Sequence, residues 1–140
     1  MTDLTDGRRL SPEEALRRLA GISFGRIVYT RFALINMHPA DHLVDGDAIV
    51  VRAHPEGLTL TTDPQVVLYQ ADTIDHFTRT GWFVTATGMS EEVIDPVDHA
   101  RYERFLTAHT LNTDRDDRII CIRPAITSGT VYSRLGPVLS

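Results

Sequence analysis

The feature that most constrains this chain is an Asp-Gly pair, Asp45-Gly46, that interrupts a long apolar stretch. Leu43-Val44 precedes the pair and residues 48–51, Ala-Ile-Val-Val, follow it. The two central residues of a type I′ turn adopt positive φ, which Gly tolerates freely and Asp better than most residues. The pattern therefore predicts a β-hairpin with Asp45-Gly46 at its turn, and an antiparallel sheet around it.

The second strand of this hairpin is apolar at consecutive positions, 48–51, so both of its faces are expected to be buried. A small barrel has one interior, and we expect a second copy of the chain to cover the other face. Arg52 ends the strand, and Pro55-Glu56-Gly57 then turns the chain. A cation at the mouth of a buried strand suits an anion, although an arginine there is also typical of a surface ion pair.

Length and composition indicate one folded domain. The chain has 140 residues, of which 42% are hydrophobic and 24% charged, as in globular proteins rather than disordered ones. A net charge of −5 argues against broad nucleic-acid binding, because phosphate neutralisation needs a basic face. No apolar run approaches the roughly 20 residues that span a bilayer, and the acidic first residues lack a signal-peptide core. We therefore expect a cytoplasmic protein with no membrane partner.

Several chemistries are excluded by residues that the chain lacks. All 14 basic residues are arginine, so neither a Schiff-base lysine nor covalent pyridoxal-phosphate catalysis is available. His38 and His42 would share one face of a helix, but Pro39 and the strand context break that geometry, and we predict no metal site. A single cysteine, Cys121, cannot form an internal disulfide, and we expect it to be buried and inert in a reducing compartment.

The remaining pattern predicts about six strands and two helices. Residues 1–9 are expected to form a flexible polar tail, and residues 10–140 a single domain. Ser11 and Glu14 form a capping-box sequence at the start of the first helix. The second helix is expected from Pro96 to about residue 109. Its predicted inward residues are Ala100, Tyr102, Phe105 and Leu106. The other strands are predicted at 25–31, 33–37, 66–71, 81–93 and 119–123, with an edge or bulge at Pro39 and possible further pairing at 131–132.

With these residues in view, the chain resembles the pyridoxamine 5′-phosphate oxidase-like, flavin-binding split-barrel family in its small bacterial form. The segment 38–46 is similar to the family's Pro-Val-Asn-Tyr-x-x-Asp-Gly, and 49–52 to the strand that ends in Phe-Arg-Thr. Residues 80–84, with Gly88, resemble Gly-Trp-Ser-Val-x-x-x-Gly, and 118–127 resemble the last strand. The order and spacing of these segments carry the resemblance, which covers roughly residues 10–132.

The resemblance implies a six-stranded antiparallel split β-barrel of Greek-key type, with flanking helices. It also implies a homodimer with flavin in clefts at the interface. Carried over by position, Arg52 would contact the flavin phosphate, residues 39–42 would lie along the isoalloxazine ring, and Trp82 would stand near the site. The cofactor-binding residues implied are Pro39, Ala40, Asp41, His42, Arg52, Ala53, Leu58, Thr59 and Trp82. His42 is the candidate for proton transfer, because its ordinary pKa suits that role.

The chain departs from the family on the phosphate side of the site. Thr59 stands where the family has a lysine, Ala53 where it has a threonine, and Phe83 where it has a serine. Losing one charge-assisted contact costs about 1.5–3 kcal/mol. The cofactor is therefore FMN, the deazaflavin F420, or none.

Two functions remain open from the residues. The first is a flavin- or deazaflavin-dependent oxidoreductase, in which the cofactor carries the redox chemistry; retained Arg52 and Trp82 favour it. The second is a non-catalytic split-barrel dimer that binds a small-molecule ligand, or only itself; the depleted phosphate positions favour it. The residues indicate no particular substrate.

Overall fold

An antiparallel β-sheet that closes on itself forms most of the molecule. The computed structural model describes residues 5–53, 64–107 and 117–134. The elements in chain order are β1 (Thr5–Leu10), α1 (Pro12–Ala20), β2 (Phe24–Arg31), β3 (Leu34–Asp45), β4 (Ala48–Ala53), β5 (Gln65–Asp72), β6 (Gly81–Glu92), α2 (Pro96–Thr107) and β7 (Arg118–Arg134). Within these described residues, neither helix is long and apolar enough to cross a membrane.

The barrel is a ring in which β7, β4, β3, β2, β5 and β6 are neighbours and β6 pairs back onto β7. The long strand β7 lines the split: residues 118–122 pair with β4, whereas 129–134 pair with β1. The predicted six-stranded antiparallel split barrel with flanking helices is therefore confirmed, with β1 as a seventh strand.

Strand β1 corrects the predicted polar tail, which is wrong for residues 5–9. Leu10 is the buried residue of this strand, while residues 6–9 are exposed. A strand with a single buried side chain has no apolar alternation to detect. It forms because β7 offers an edge with which it can pair, and that partner is distant in sequence.

The predicted hairpin is present, but its turn lies one residue further along. Asp45 pairs with Ala48, so Gly46 and Asp47 are the central residues. Gly46 has a φ of +63°, whereas Asp47 has no positive φ, which is the pattern of a type II′ turn. Asp45 stays in the strand, where its carboxylate accepts a hydrogen bond from the Tyr102 hydroxyl of α2 at 2.6 Å.

Both faces of β4 are buried, as predicted, but α2 covers the second one. Ile49 and Val51 belong to the main core, while Val50 packs in a separate cluster with Leu106 and Ile119. The expectation that this face needs a second copy of the chain is therefore wrong. Helix α2 covers the sheet with only a narrow strip of its surface, so that its predicted inward residues divide into two groups. Leu106 and Tyr102 face the sheet, whereas Ala100 and Phe105 are exposed.

Strand β7 runs well beyond the predicted 119–123 because a β-bulge accommodates its proline. Gly88 of β6 pairs with Pro124 and Thr87 with Ile126, which leaves Ala125 as the extra residue. A Cβ on Gly88 would lie 2.0 Å from the Arg123 carbonyl oxygen, so the close approach of the two strands requires glycine here.

Helix α1 begins as predicted and closes one end of the core. The Ser11 hydroxyl accepts from the Glu14 backbone N–H at 3.2 Å, and the Glu14 carboxylate accepts from the Ser11 N–H. Ala15 and Leu19 are fully buried, whereas Ala20 is exposed. Cys121, predicted to be buried, is only half-buried, and its partial burial raises the pKa of the thiol.

Candidate functional site

Strand β3 holds four of the nine predicted site residues, and the pleat sends them in opposite directions. Ala40 and His42 point into the barrel, where they are 3% and 2% exposed. Pro39 and Asp41 therefore leave the other face of the strand, which lies outside the barrel. The strand is continuous through Pro39 because β4 pairs with β3 only from Asp41 onward. The predicted edge is thus present locally, whereas the register with β2 shows no bulge.

His42 is held inside the barrel by both of its ring nitrogens. Its Nε2 lies 2.9 Å from the Leu19 carbonyl oxygen, and its Nδ1 lies 2.5 Å from the Tyr69 hydroxyl. A neutral imidazole that donates from Nε2 to Leu19 accepts the Tyr69 proton at Nδ1. We assign this tautomer from the partners, since a carbonyl can only accept. The Tyr69 oxygen also lies 3.1 Å from the Ala40 carbonyl.

Burial favours the neutral form of both side chains. It lowers the pKa of His42 and raises the pKa of Tyr69. The network therefore ties α1, β3 and β5 together without a charged group. This geometry gives His42 a structural role and offers no support to the predicted proton transfer, because both nitrogens are engaged inside the core.

Arg52 leaves the outer face of β4 and is held in a largely buried ion pair. Its Nε donates to Asp117 Oδ2 at 2.9 Å, and the two side chains are only 10% and 4% exposed. Asp41 lies directly across from Arg52 in the β3–β4 register, so its side chain leaves the same face of the sheet. The ion-pair alternative for this arginine is therefore confirmed, and the pair is buried rather than on the surface.

Of the other predicted site residues, the two that the structure describes pack in the main core. Trp82 is 8% exposed and belongs to the main core, and Ala53 is 3% exposed and packs there too. Leu58 and Thr59, like the predicted turn at 55–57, lie outside the described residues. The structure thus brings Pro39, Asp41 and Arg52 to one outer face and directs Ala40, His42, Ala53 and Trp82 inward.

Sequence reasoning missed two residues on this outer face, Arg26 and Asp117. Arg26 lies across from Pro39 on β2, and its Nη1 donates to the Gln70 side-chain oxygen at 3.2 Å. Neither residue was predicted as a site residue, because the contacts that bring them to this face join segments far apart in the sequence. Among the described residues no three His, Cys, Asp or Glu side chains converge as metal ligands.

An exposed apolar strip continues the outer face away from Arg52. Ile35 and Met37 alternate with Pro39 on the outer side of β3 and are 80% and 62% exposed. The β2–β3 hairpin beyond them turns through Phe32 and Ala33, which have φ values of 52° and 62°. We call Ile35, Met37 and Pro39 the β3 outer strip. A planar apolar ligand or a second protein surface suits it, because contiguous exposed apolar groups mark binding surfaces.

The fold and the exposed β3 outer strip place this chain in the class of antiparallel split-barrel proteins. Comparison with known proteins then identifies its family. Residues 11–136 match the family model described as pyridoxamine 5′-phosphate oxidase. The chain therefore belongs to the pyridoxamine 5′-phosphate oxidase family, as the resemblance implied.

Individual proteins are similar to this chain over most of its length. An uncharacterized protein of Mycobacterium tuberculosis is 37% identical over 126 residues, covering 86% of this chain and 82% of its own length. The crystal structure of a candidate pyridoxamine 5′-phosphate oxidase from Corynebacterium glutamicum is 26% identical, with a TM-score of 0.72 and coverage of 94% and 96%. The FAD binding protein from Mycobacterium smegmatis is also 26% identical, with a TM-score of 0.69 and coverage of 92% of this chain and 100% of its own.

Proposed function

We propose that this protein binds a flavin against the β3 outer strip and works as a flavin-dependent oxidoreductase. The family match over residues 11–136 carries the proposal, and the FAD binding protein from Mycobacterium smegmatis, 26% identical, supports it. When bound, a flavin supplies the electron transfer, and the protein's part is to orient the ring and keep water from it.

The residues on the outer face suit such a ring. Met37 and Pro39 offer exposed apolar contact, and the Arg26 guanidinium lies one strand away as a hydrogen-bond donor. An isoalloxazine has an apolar edge and an edge of carbonyl oxygens and ring nitrogens, so it matches both features. This fit changes the predicted contacts along 39–42: Pro39 is exposed on the outer face, Asp41 lies on that face but is buried, and Ala40 and His42 point inward.

The nucleotide we propose is FMN, with its phosphate directed toward Arg52. F420 is the alternative deazaflavin, since it presents a similar ring. The Arg52 guanidinium is the cation on the outer face of β4, and arginine–phosphate pairs are roughly twice as strong as neutral hydrogen bonds.

We also propose that the protein acts as a homodimer in the cytoplasm, with each flavin at the interface. Ile35 is 80% exposed and Leu34 68% exposed in the single chain, and a second copy would bury this apolar surface. The lone cysteine agrees with a reducing compartment.

A second candidate, a non-catalytic dimer of the same fold, is favoured by specific observations. Both nitrogens of His42 are engaged in the core, and Arg52 is already paired with Asp117. Such a protein would keep the barrel and the exposed strip as a dimer surface without holding a flavin.

The test is a titration of the purified protein with riboflavin and FMN, followed by flavin fluorescence and visible absorption. We expect saturable quenching and a resolved absorption band, both weakened about tenfold or more by Met37→Glu, which places a charge on the β3 outer strip. Met89→Glu is the matched control, because Met89 is 46% exposed on β6, away from the strip. Absence of binding by either flavin would favour the non-catalytic dimer.

A further inference from the structure

Arg52 has two acidic neighbours, one in an ion pair and one across the strand ladder. Asp117 accepts from its Nε at 2.9 Å, and Asp41 stands directly across from it on β3. Both acidic residues are buried, at 4% exposure for the Asp117 side chain and 7% for Asp41. One guanidinium thus faces two acidic residues in surroundings from which water is largely excluded.

This arrangement matters for any phosphorylated ligand. A phosphate that approaches Arg52 must share the guanidinium with Asp117 or displace it, and it meets the negative charge of the carboxylate at short range. Such repulsion is poorly screened where the groups are buried. The same guanidinium that would attract a phosphate is therefore restrained by a competing anion from its own chain.

We propose that Asp117 is a specificity-determining residue that holds Arg52 and limits how much a terminal phosphate adds to flavin binding. The inference rests on the proposed flavin function and deepens it. In the wild-type protein the ring then provides most of the affinity, and riboflavin and FMN bind with similar strength.

Asp117 rather than Asp41 is the residue that a phosphate would displace. Asp41 lies within β3, where both β2 and β4 pair with it, so its position is fixed by two neighbouring strands. Asp117 precedes the first residue of β7 and lies outside the strand ladder. Displacing Asp117 from Arg52 would break no strand pair, so we assign the displaceable contact to Asp117 rather than to Asp41.

The experiment compares FMN with riboflavin in wild type, Asp117→Asn, Arg52→Gln and the double variant. Asparagine keeps the shape of aspartate and still offers an oxygen to Arg52 Nε, but it carries no charge. We expect Asp117→Asn to tighten FMN binding about tenfold and to leave riboflavin within about threefold. The gain should vanish in the double variant, because the Arg52 guanidinium is then absent.

Glu13→Gln is the matched control for net charge, because Glu13 is an exposed residue in the first turn of α1. If it tightens FMN binding as much as Asp117→Asn does, the effect is one of overall charge and the inference is overturned. Equal FMN affinity in wild type and Asp117→Asn overturns it as well. Melting temperatures of all variants verify that each one folds.

A second ligand separates failure of this inference from failure of the proposed function. Inorganic phosphate is titrated against the same variants and followed by ³¹P line broadening. If neither flavin binds any variant, the proposed flavin function is wrong. The phosphate titration then tests on its own whether Asp117 restrains Arg52. Broadening in Asp117→Asn but not in wild type or the double variant supports the inference; the same response in all of them contradicts it.

Discussion

The two halves of β3 have the same backbone conformation but different surroundings. Residues 34–39 pair with β2 and, among the described strands, have no partner on their other side, and most of their side chains are exposed. Residues 41–45 pair with β2 or β4 and pack against α1 or α2, and Ala40 to His42 are buried. The change from mostly exposed to buried side chains occurs within two residues, Pro39 and Ala40.

The two halves of β3 therefore serve different purposes. Its second half is locked by the His42–Tyr69 network and by the pairing with β4, and therefore positions Asp41 against Arg52. Its first half presents an apolar strip that no other described element covers. Stability should depend on the second half, and binding on the first. Substitutions in each half test this division.

The largest effect is expected from Gly25→Ala, beside the buried half. Gly25 pairs with Ala40, and a Cβ added to it would lie 2.6 Å from the Gln70 carbonyl oxygen and 2.7 Å from the Tyr69 hydroxyl. Overpacking against backbone costs about 3 kcal/mol. Urea unfolding measures the loss; Gly21→Ala, with its nearest contact at 3.4 Å, should cost less than about 1 kcal/mol.

A smaller loss is expected from Tyr69→Phe, which removes only the hydroxyl at the centre of the network. His42 Nδ1 then loses its donor inside the core, which costs about 1–3 kcal/mol. Tyr132→Phe, at a half-buried position on β7, should change the free energy of unfolding by less than about 0.5 kcal/mol. Equal losses in the two variants would show that the network does not lock this half of β3.

Lowering the pH should decrease the free energy of unfolding through His42, in the buried half of β3. Burial holds the pKa of His42 in the folded protein below its ordinary value of 6.5. Above pH 6.5, His42 is neutral in both the folded and the unfolded protein, so it adds no pH dependence to the free energy of unfolding. As the pH falls below 6.5, the unfolded chain binds the proton first and the free energy of unfolding decreases, until the pH passes the folded pKa. Unfolding curves from pH 8 to about pH 5 test this, and His42→Gln should flatten the decrease.

The smallest effect on unfolding is expected from Ile35→Ser in the exposed half, less than about 0.5 kcal/mol at a fixed oligomeric state. The same change should weaken self-association about tenfold, because it removes apolar surface from the proposed interface. Sedimentation at several concentrations measures this, with Ile126→Ser as control, since Ile126 is also exposed, at 68%, but lies on β7. An identical shift for both variants would contradict an interface at the β3 outer strip.

Local chemistry made much of the fold predictable. The Ser11 capping box, the apolar run of β4 and the long strand predicted at 81–93 each depend on residues close in sequence, and each prediction is confirmed. Strand β1 was missed, and the second half of β7 was predicted only at 131–132, because the pairing partners of these segments are far away in the chain. Propensity alone cannot reveal an edge that another strand supplies.

The candidate site was less predictable than the fold. The motif at 39–42 was found, but which of its side chains point outward depends on strand phase, and this placed Ala40 and His42 in the core. Arg52 was identified as a cation, whereas its partner Asp117 lies 65 residues away and belongs to no recognisable pattern. Long-range ion pairs of this kind need the register of the sheet.

Native-state hydrogen exchange along β3, with and without saturating riboflavin, tests the division of this strand most directly. We expect riboflavin to raise the protection of amides in residues 35–38 by roughly tenfold, because ligand and second copy cover the outer strip. Protection at residues 40–45 should already be high and change less. Equal protection along the whole strand without ligand, together with no response of residues 35–38 to riboflavin, would contradict the account.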